Sequence, residues 1–121
     1  MRLCRRVGIV VLLAMVSSAA TLLADARSDA RDLVSFGIEV ANRGLWREAI
    51  YRWQRATEVD PTYAAAFNNL AVGYEQEGEL AKARDAYEKA LTLSPNDPSI
   101  RQNYELFKEI NERASAPPKE P

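Results

Sequence analysis

The chain has 121 residues, of which 16 are lysine or arginine, 17 are aspartate or glutamate and none is histidine, so its formal net charge is −1. This balance of charges provides no basic surface for nucleic acid, and the lack of histidine removes the commonest general base and the commonest metal ligand. Because Cys4 is the only cysteine, no disulfide can form within the chain, and we expect no enzyme activity, no bound metal and no cofactor.

The N-terminal residues 1–26 have the three parts of a secretory signal peptide. Three arginines lie within the first six residues, an apolar run follows at 7–16, and small residues precede two A-x-A-like cleavage sites after Ala20 and Ala26. Cleavage would release an exported protein, either periplasmic or secreted. The alternative is an uncleaved membrane anchor, because residues 7–24 carry no charge and are just long enough to span a bilayer. Both alternatives leave the remaining chain outside the cytoplasm.

Beyond this segment, apolar residues recur every three or four positions, which predicts helices rather than strands. The first helix is expected over about 30–43 and the second over about 46–59. Ser28 or Asp29 can cap the first helix, and Gly44 can take the left-handed conformation that ends it. The apolar residues of the first helix are Leu33, Phe36, Ile38, Val40 and Ala41.

Three further helices are expected over about 63–77, 80–93 and 98–113. Asp97 is the predicted N-cap of the last one, and the proline that follows it suits the first helical turn. The apolar stripe of this last helix is Ile100, Tyr104, Phe107 and Ile110. The final residues, 114–121, include three prolines and no large apolar side chain, so we expect a disordered tail. The predicted domain therefore spans residues 27–113.

The landmark residues of one part of the chain recur 34 positions later in the next part. The aligned pairs are Leu33 and Phe67, Phe36 and Leu70, Gly37 and Ala71, Val40 and Tyr74, Gly44 and Gly78, Ala49 and Ala83, Trp53 and Tyr87, Ala56 and Ala90, and Pro61 and Pro95. A 34-residue period with this order of aromatic, small and proline residues resembles the tetratricopeptide repeat family.

This resemblance implies an all-α fold, a short right-handed α-solenoid of helix hairpins. Residues 30–61 and 64–95 would be two repeats, and residues 98–113 would be the capping helix. In such a fold Gly37 would let two helices approach closely, and Trp53 would fill the space between neighbouring helices as a core residue rather than as a ligand-stacking one.

The resemblance also implies that the first helix of each hairpin lines a concave groove. The predicted peptide-binding residues are Val34, Ile38, Asn68, Asn69, Val72, Gln102, Asn103 and Leu106. Their apolar side chains would exclude water, and their amides can donate to and accept from a peptide backbone.

Some relatives clamp a C-terminal carboxylate with basic side chains and two asparagines at defined groove positions. The corresponding residues here are Val34, Ile38, Asn69, Ser99 and Asn103, and only Asn69 matches. We therefore do not expect binding of cytosolic chaperone tails. Asn69 itself can serve either a ligand contact or a local hydrogen bond.

These observations predict an exported scaffold or adaptor that binds a protein or peptide partner without catalysis. The alternative is a membrane-anchored or self-associating structural module of a cell-envelope assembly, in which repeat ends stack on one another. Leu33 and Trp46 are expected to be partly open at the first end, since no helix is predicted before them. Because two repeats are a short array, a self-associated or a partner-bound state is expected to add stability.

Overall fold

The computed structural model describes the backbone of residues 2–115 and the side chains of residues 18–115. Within these residues the chain forms five helices and no strand. The helices are α1 (Arg2–Asn42), α2 (Trp46–Val59), α3 (Ala64–Gln76), α4 (Leu80–Leu93) and α5 (Pro98–Ser115). The all-α fold is confirmed, and the predicted bounds of α2 to α5 are correct to within two residues. Residues 116–121 of the predicted tail lie outside the described residues, whereas Ala114 and Ser115 belong to α5.

The start of α1 was predicted wrongly. The helix does not begin near residue 30 but runs without interruption from Arg2, so Ser28 and Asp29 lie inside it and are not caps. Residues 18–29 contain neither proline nor glycine and are rich in alanine and leucine, so nothing in the local sequence stops the helix. Among the side chains described, those of residues 18–25 are exposed and Ala30 is the first fully buried one.

Arg27 ties α1 to the turn between α2 and α3. Its guanidinium forms an ion pair with the buried Asp60, donates a hydrogen bond to Thr62 Oγ1 at 3.1 Å and lies 4.7 Å from the centroid of the Tyr63 ring. The hydrogen bond from Arg27 lowers the pKa of Asp60 and outweighs burial, which acts in the opposite direction. The Asp60 carboxylate also accepts hydrogen bonds from the Thr62 backbone and hydroxyl. This network of contacts fixes α1 to the α2–α3 turn at the residues where α1 begins to pack against the rest of the protein.

The two hairpin turns have the same geometry. Gly44 and Gly78 have φ angles of +79° and +74°, and no other residue described has a positive φ. The backbone N–H that follows each glycine donates to a carbonyl of the preceding helix, Leu45 to Val40 at 3.0 Å and Glu79 to Tyr74 at 2.8 Å. Glycine takes this conformation at little cost, so the predicted helix ends are confirmed.

The small residues of the 34-residue pattern lie where helices touch. The alanines at its repeated positions, Ala49, Ala56, Ala83 and Ala90, are fully buried. Trp53 retains only 2% of its accessible surface and donates from Nε1 to the carbonyl oxygen of Val34 at 3.2 Å. A Cβ atom at Gly37 would lie 2.3 Å from that same Nε1. The core assignments of Trp53 and Gly37 are therefore confirmed.

The C-terminal helix closes the second hairpin with an aromatic cluster. The ring of Tyr87 lies 5.8 Å from that of Tyr104 and 5.4 Å from that of Phe107, centroid to centroid. Asp97 Oδ1 accepts hydrogen bonds from the backbone N–H groups of Ser99 and Ile100 at 2.9 and 3.1 Å, which confirms it as the N-cap.

Two predicted apolar stripe residues are exposed instead. Phe36 retains 44% of its accessible surface, although Leu70, its equivalent 34 residues later, is buried against α2. In the part of the chain that the structure describes, no helix lies in front of α1 to cover Phe36. The Arg52 guanidinium lies 4.8 Å from the centroid of the Phe36 ring. Ile110 on α5 is half exposed for the matching reason, because no hairpin follows α5 in the described chain. Within the residues whose side chains are described, no helix is long and apolar enough to cross a membrane.

Candidate peptide-binding groove

Three apolar side chains form a row across the first helices of the repeats. Ile38 on α1, Val72 on α3 and Leu106 on α5 follow one another at intervals of 34 residues, so they occupy the same register on three helices. Helix α1 packs against α3, and α3 packs against α5. Ile38 and Leu106 keep 41% and 54% of their accessible surface, and Val72 is half-buried. We call these three residues the apolar row.

Amide side chains lie beside the apolar row. Asn103 Nδ2 on α5 donates to Asn68 Oδ1 on α3 at 3.1 Å, so the structure joins two of the predicted site residues directly. This bond leaves the Nδ2 group of Asn68 free to donate and the Oδ1 atom of Asn103 free to accept. Gln102, next to Asn103, is exposed. The pair therefore offers both halves of a peptide group's hydrogen-bonding pattern.

Asn69 makes a local hydrogen bond within its own helix. Its Nδ2 atom donates to the carbonyl oxygen of Ala65 at 2.8 Å, and the side chain is half-buried. Of the two roles predicted for Asn69, the local one is therefore present in the structure. Its Oδ1 atom remains able to accept a hydrogen bond from a ligand.

Val34 is not part of the groove, contrary to the prediction. It keeps 6% of its accessible surface and belongs to the buried cluster that contains Trp53, Ala66 and Leu70. Val34 is the residue of α1 that corresponds to Asn68 on α3. It is buried because α3 packs against this side of α1 and covers it. The other seven predicted residues are exposed or half-buried.

One further row on the same surface is not among the eight predicted binding residues. This row consists of Asn42 on α1, Gln76 on α3 and Ile110 on α5, which follow one another at intervals of 34 residues. All three side chains are exposed. The signal was available in the sequence, but Ile110 had been placed in the apolar stripe that packs against the core. It is a second exposed apolar side chain on α5, one helical turn from Leu106.

The acidic residues near the groove already have partners. Glu75 accepts a hydrogen bond from the Tyr87 hydroxyl at 3.0 Å, and burial together with this carboxylate raises the pKa of Tyr87. Glu77 lies 3.7 Å from Arg47, and Glu79 forms an ion pair with Lys82. Glu75, Glu77 and Glu79, which surround the Gly78 turn, therefore form a charged surface whose carboxylates are already hydrogen-bonded or ion-paired.

A separate cleft of about 480 Å³ lies at the edge formed by the hairpin turns. It is lined by Gly44, Leu45, Trp46, Arg47, Glu48 and Glu77. None of the eight predicted groove residues borders it, and its rim carries the ion pair between Arg47 and Glu77. The cleft is thus a gap between neighbouring turns and is distinct from the apolar row.

Comparisons with known proteins agree with the repeat geometry. A family model described as "Tetratricopeptide repeat" matches residues 35–98. The chain is 33% identical over 82 residues to the type IV pilus assembly protein PilF of Pseudomonas aeruginosa, covering 67% of this chain and 32% of that protein. It is 34% identical over 74 residues to the photosystem I assembly protein Ycf3 of Synechococcus sp. (strain CC9902), covering 59% of this chain and 43% of that protein.

A plant protein with the same type of repeat is also similar. The tetratricopeptide repeat domain-containing protein PYG7 of Arabidopsis thaliana, a chloroplastic protein, is 28% identical over 75 residues, covering 62% of this chain and 25% of that protein. The chain thus spans less than half the length of each of these relatives.

Proposed function

Because this chain belongs to the tetratricopeptide repeat family, whose members act as protein-interaction scaffolds, we propose that it binds a segment of a partner protein in the groove across α1, α3 and α5. The observation that carries this proposal is the exposed apolar row flanked by amides with free hydrogen-bonding groups. Burying the row against a partner removes apolar surface from water, and the amides fix the orientation of the bound backbone. Neither step requires chemistry, so the protein works as an adaptor.

The relatives support a role in assembling larger structures. Two of them are named as assembly proteins, one for type IV pili and one for photosystem I. We propose the same general role here, with the partner being a component of an assembly outside the cytoplasm. The partner binds through surface complementarity with the apolar row and the amides around Asn68 and Asn103.

The apolar row can be tested with peptides selected on the protein itself. A random peptide library displayed on phage is selected against the full-length protein, and dissociation constants are then measured for the wild type and for Leu106→Glu. We expect the substitution to weaken binding by at least about tenfold, which corresponds to ~1.4 kcal/mol, because the new carboxylate loses water on binding.

The matched control is Tyr51→Glu on α2, since Tyr51 is 52% exposed and Leu106 is 54% exposed. The control should leave the dissociation constant within about twofold of wild type, well under 1 kcal/mol. If the selected peptides lose affinity equally for both variants, or bind both variants as tightly as the wild type, the binding face lies elsewhere on the protein. A selection that yields no binder would overturn the proposed function.

Stacking of repeat ends receives less support than groove binding. The α3 face that packs on α2 carries Ala66, Leu70 and Gly73, and the equivalent face of α1 carries Asp32, Phe36 and Glu39. A polar outer face is typical of a terminal capping repeat. Leu33 and Trp46 are half-buried and pack against the core cluster, in agreement with the expectation that they are partly open.

Export across the membrane is the second part of the proposal. Helix α1 includes the segment that would either be cleaved after export or remain as a membrane anchor. Three arginines followed by an apolar run support export of the domain. Cleavage after Ala20 or Ala26 would cut within the continuous helix α1, whereas an uncleaved chain would keep the N-terminal part of α1 as an anchor. In that arrangement the Arg27–Asp60 ion pair would fix the repeats to the anchor.

A single introduced cysteine can report the location of the domain. In a Cys4→Ser background, Ser115→Cys places a thiol on the exposed end of α5. We expect a membrane-impermeant maleimide to label it in cells whose cytoplasmic membrane is intact. Labelling only after lysis would contradict export. The intact mass of the same sample then distinguishes a chain cut after residue 20 or 26 from an uncleaved one.

A further inference from the structure

Glu75 differs from the other carboxylates that are partly or fully buried. Four such acidic side chains occur among the described residues, and they are Glu48, Asp60, Glu75 and Asp97. Glu48 and Asp60 form ion pairs with arginines, and Asp97 caps α5. Glu75 bonds only to the Tyr87 hydroxyl, which carries no charge. Its negative charge therefore has no ion-pair partner in the part of the chain that the structure describes.

Glu75 lies between α3 and α5, beside the apolar row. It follows Val72 by one helical turn, so these two side chains are neighbours on α3. The ring of Tyr87, to which Glu75 bonds, packs against Phe107 of α5 at 5.4 Å between centroids. The carboxylate is therefore on the α5 side of α3, and a ligand in contact with the apolar row lies next to it.

One oxygen of Glu75 is available to a ligand. The Tyr87 hydroxyl donates to Oε2 at 3.0 Å, which leaves Oε1 without a hydrogen-bond partner among the described residues. No side-chain oxygen in that part of the chain is both buried and unpaired, so Oε1 is open to solvent. Tyr87 keeps only 1% of its accessible surface, and burial together with the Glu75 charge raises the pKa of its hydroxyl. The hydroxyl thus stays a donor and holds the carboxylate in place before a ligand binds.

The basic residues of α3 and α5 do not offset the charge of Glu75. Helix α3 contains no lysine or arginine. The three basic residues of α5 already have other partners, which are the Pro95 carbonyl for Arg101, Glu105 for Lys108 and Glu109 for Arg113. Glu109 also occupies the register of Glu75 one repeat later, so the corresponding position on α5 is acidic as well. This side of the groove is suited to a positively charged ligand.

Deepening the proposed function and resting on it, we infer that the groove binds a partner segment in which a lysine or arginine lies next to an apolar residue. The basic side chain pairs with Glu75 Oε1, and the apolar residue contacts Val72 and Leu106. A half-buried carboxylate gains more from such a pair than an exposed one, because less water and salt screen the two charges. An acidic residue at the same place is repelled, so the site selects between partners by charge.

Two peptide libraries of matched design test the charge preference. Both display dodecapeptides with the same apolar positions on phage, and one offers lysine or serine where the other offers glutamate or serine. Equal amounts are pooled and selected against the full-length protein. We expect lysine peptides to exceed glutamate peptides by at least about tenfold. Equal recovery, or an excess of glutamate peptides that lose binding to Leu106→Glu, would overturn the inference and leave the proposed function standing.

A matched pair of variants shows whether Glu75 is responsible. Glu75→Gln removes the charge but keeps an oxygen that can accept from Tyr87, so the fold should be retained. The control is Glu88→Gln on α4, because Glu88 likewise accepts a tyrosine hydroxyl, that of Tyr104 at 2.9 Å, and lies outside the predicted groove.

Fluorescence anisotropy of the most enriched lysine peptide compares the two variants. Binding to Glu75→Gln should be about five- to tenfold weaker than to the wild type, and binding to Glu88→Gln should stay within about twofold. Equal weakening by both variants would mean that only the net charge of the protein matters, and the inference would fail. Unchanged binding to Glu75→Gln would equally overturn it.

A change in the peptide identifies the group that pairs with Glu75. Norleucine in place of the peptide lysine keeps the apolar stem and removes the charge. This replacement should weaken binding to the wild type by about five- to tenfold and to Glu75→Gln by less than about twofold, since the two groups act as a pair. Equal losses for both proteins would place the lysine elsewhere and contradict the inference.

The chain itself provides two other candidate occupants. A peptide of residues 114–121 contains Lys119 but no large apolar residue, and it should bind at least about tenfold more weakly than the selected peptide. A second copy would appear in sedimentation velocity as a dimer that dissociates in Leu106→Glu. Equally tight binding of the tail peptide, or such a dimer, would overturn the inference. Absence of any groove-binding peptide would overturn both the inference and the proposed function.

Discussion

Replacing Trp53 with alanine should lower the free energy of unfolding by about 3–5 kcal/mol, the range found for deletion of a large buried aromatic side chain. Trp53 keeps 2% of its accessible surface and belongs to the buried cluster shared by α1, α2 and α3. The substitution also removes the hydrogen bond from Nε1 to the Val34 carbonyl oxygen at 3.2 Å. Because a small domain is stable by only about 5–15 kcal/mol, this loss can unfold much of the population.

Urea denaturation followed by circular dichroism measures this effect, and two further variants make it interpretable. Tyr51→Ala, at a side chain 52% exposed on the same helix, should change the free energy of unfolding by less than about 1 kcal/mol. Trp53→Phe keeps a ring but loses the bond to Val34, so it should lie between the wild type and Trp53→Ala. A denaturation midpoint for Trp53→Ala close to wild type would show that the indole is not a core element.

The parts of the fold that follow from local sequence signals were predictable. The helices from α2 onward are bounded by glycine turns and by proline-containing segments, and each carries an apolar face with helical spacing. Their ends agree with the structure because Gly44, Gly78 and Asp97 act locally, through a positive φ or through a side-chain cap. The 34-residue period then identified which alanines and aromatics would be buried.

The errors arise where the outcome depends on what a helix packs against. The sequence contains no stop signal before residue 30, so the start of α1 could not be read from a cap. The predictions for Val34 and Phe36 rest on repeat register alone, but among the described residues α1 has a neighbouring helix on the α3 side and none on the opposite side. Val34 is therefore buried and Phe36 exposed, the reverse of the prediction. A terminal repeat breaks the equivalence of repeated positions because its surroundings differ.

The same reasoning explains which of the predicted groove residues are accessible in the structure. Ile38, Val72 and Leu106 remain accessible because their register points away from both hairpin interfaces, whichever repeat they occupy. The contact between Asn68 and Asn103 could not be predicted, since it joins side chains 35 residues apart on different helices. The 34-residue spacing predicts that Asn68 and Asn103 lie on one surface, and the structure shows the hydrogen bond between them.

Gly37→Ala should destabilise the protein by about 1–3 kcal/mol, as expected for overpacking of a well-packed core. An added Cβ would lie 2.3 Å from Nε1 and 2.8 Å from Cδ1 of Trp53. The indole has little room to retreat, because the backbone of α3 approaches its other side so closely that a Cβ added at Gly73 would lie 3.0 Å from Cζ3 of the same ring. Alanine is favoured over glycine inside a helix by about 0.8–1 kcal/mol, so a net loss means that the contact outweighs the gain in helix propensity.

A double-mutant cycle isolates that contact. In a Trp53→Leu background the indole atoms nearest Gly37 are absent, so Gly37→Ala should become neutral or stabilising by up to about 1 kcal/mol through helix propensity alone. The difference between the two backgrounds should exceed about 1 kcal/mol, as is typical of residues in direct contact. Equal effects of Gly37→Ala in both backgrounds would mean that the cost lies in the backbone of α1. A large coupling energy would show that Trp53 requires a small residue at position 37. The same requirement is the physical reason why a small residue is paired with an aromatic one in both repeats.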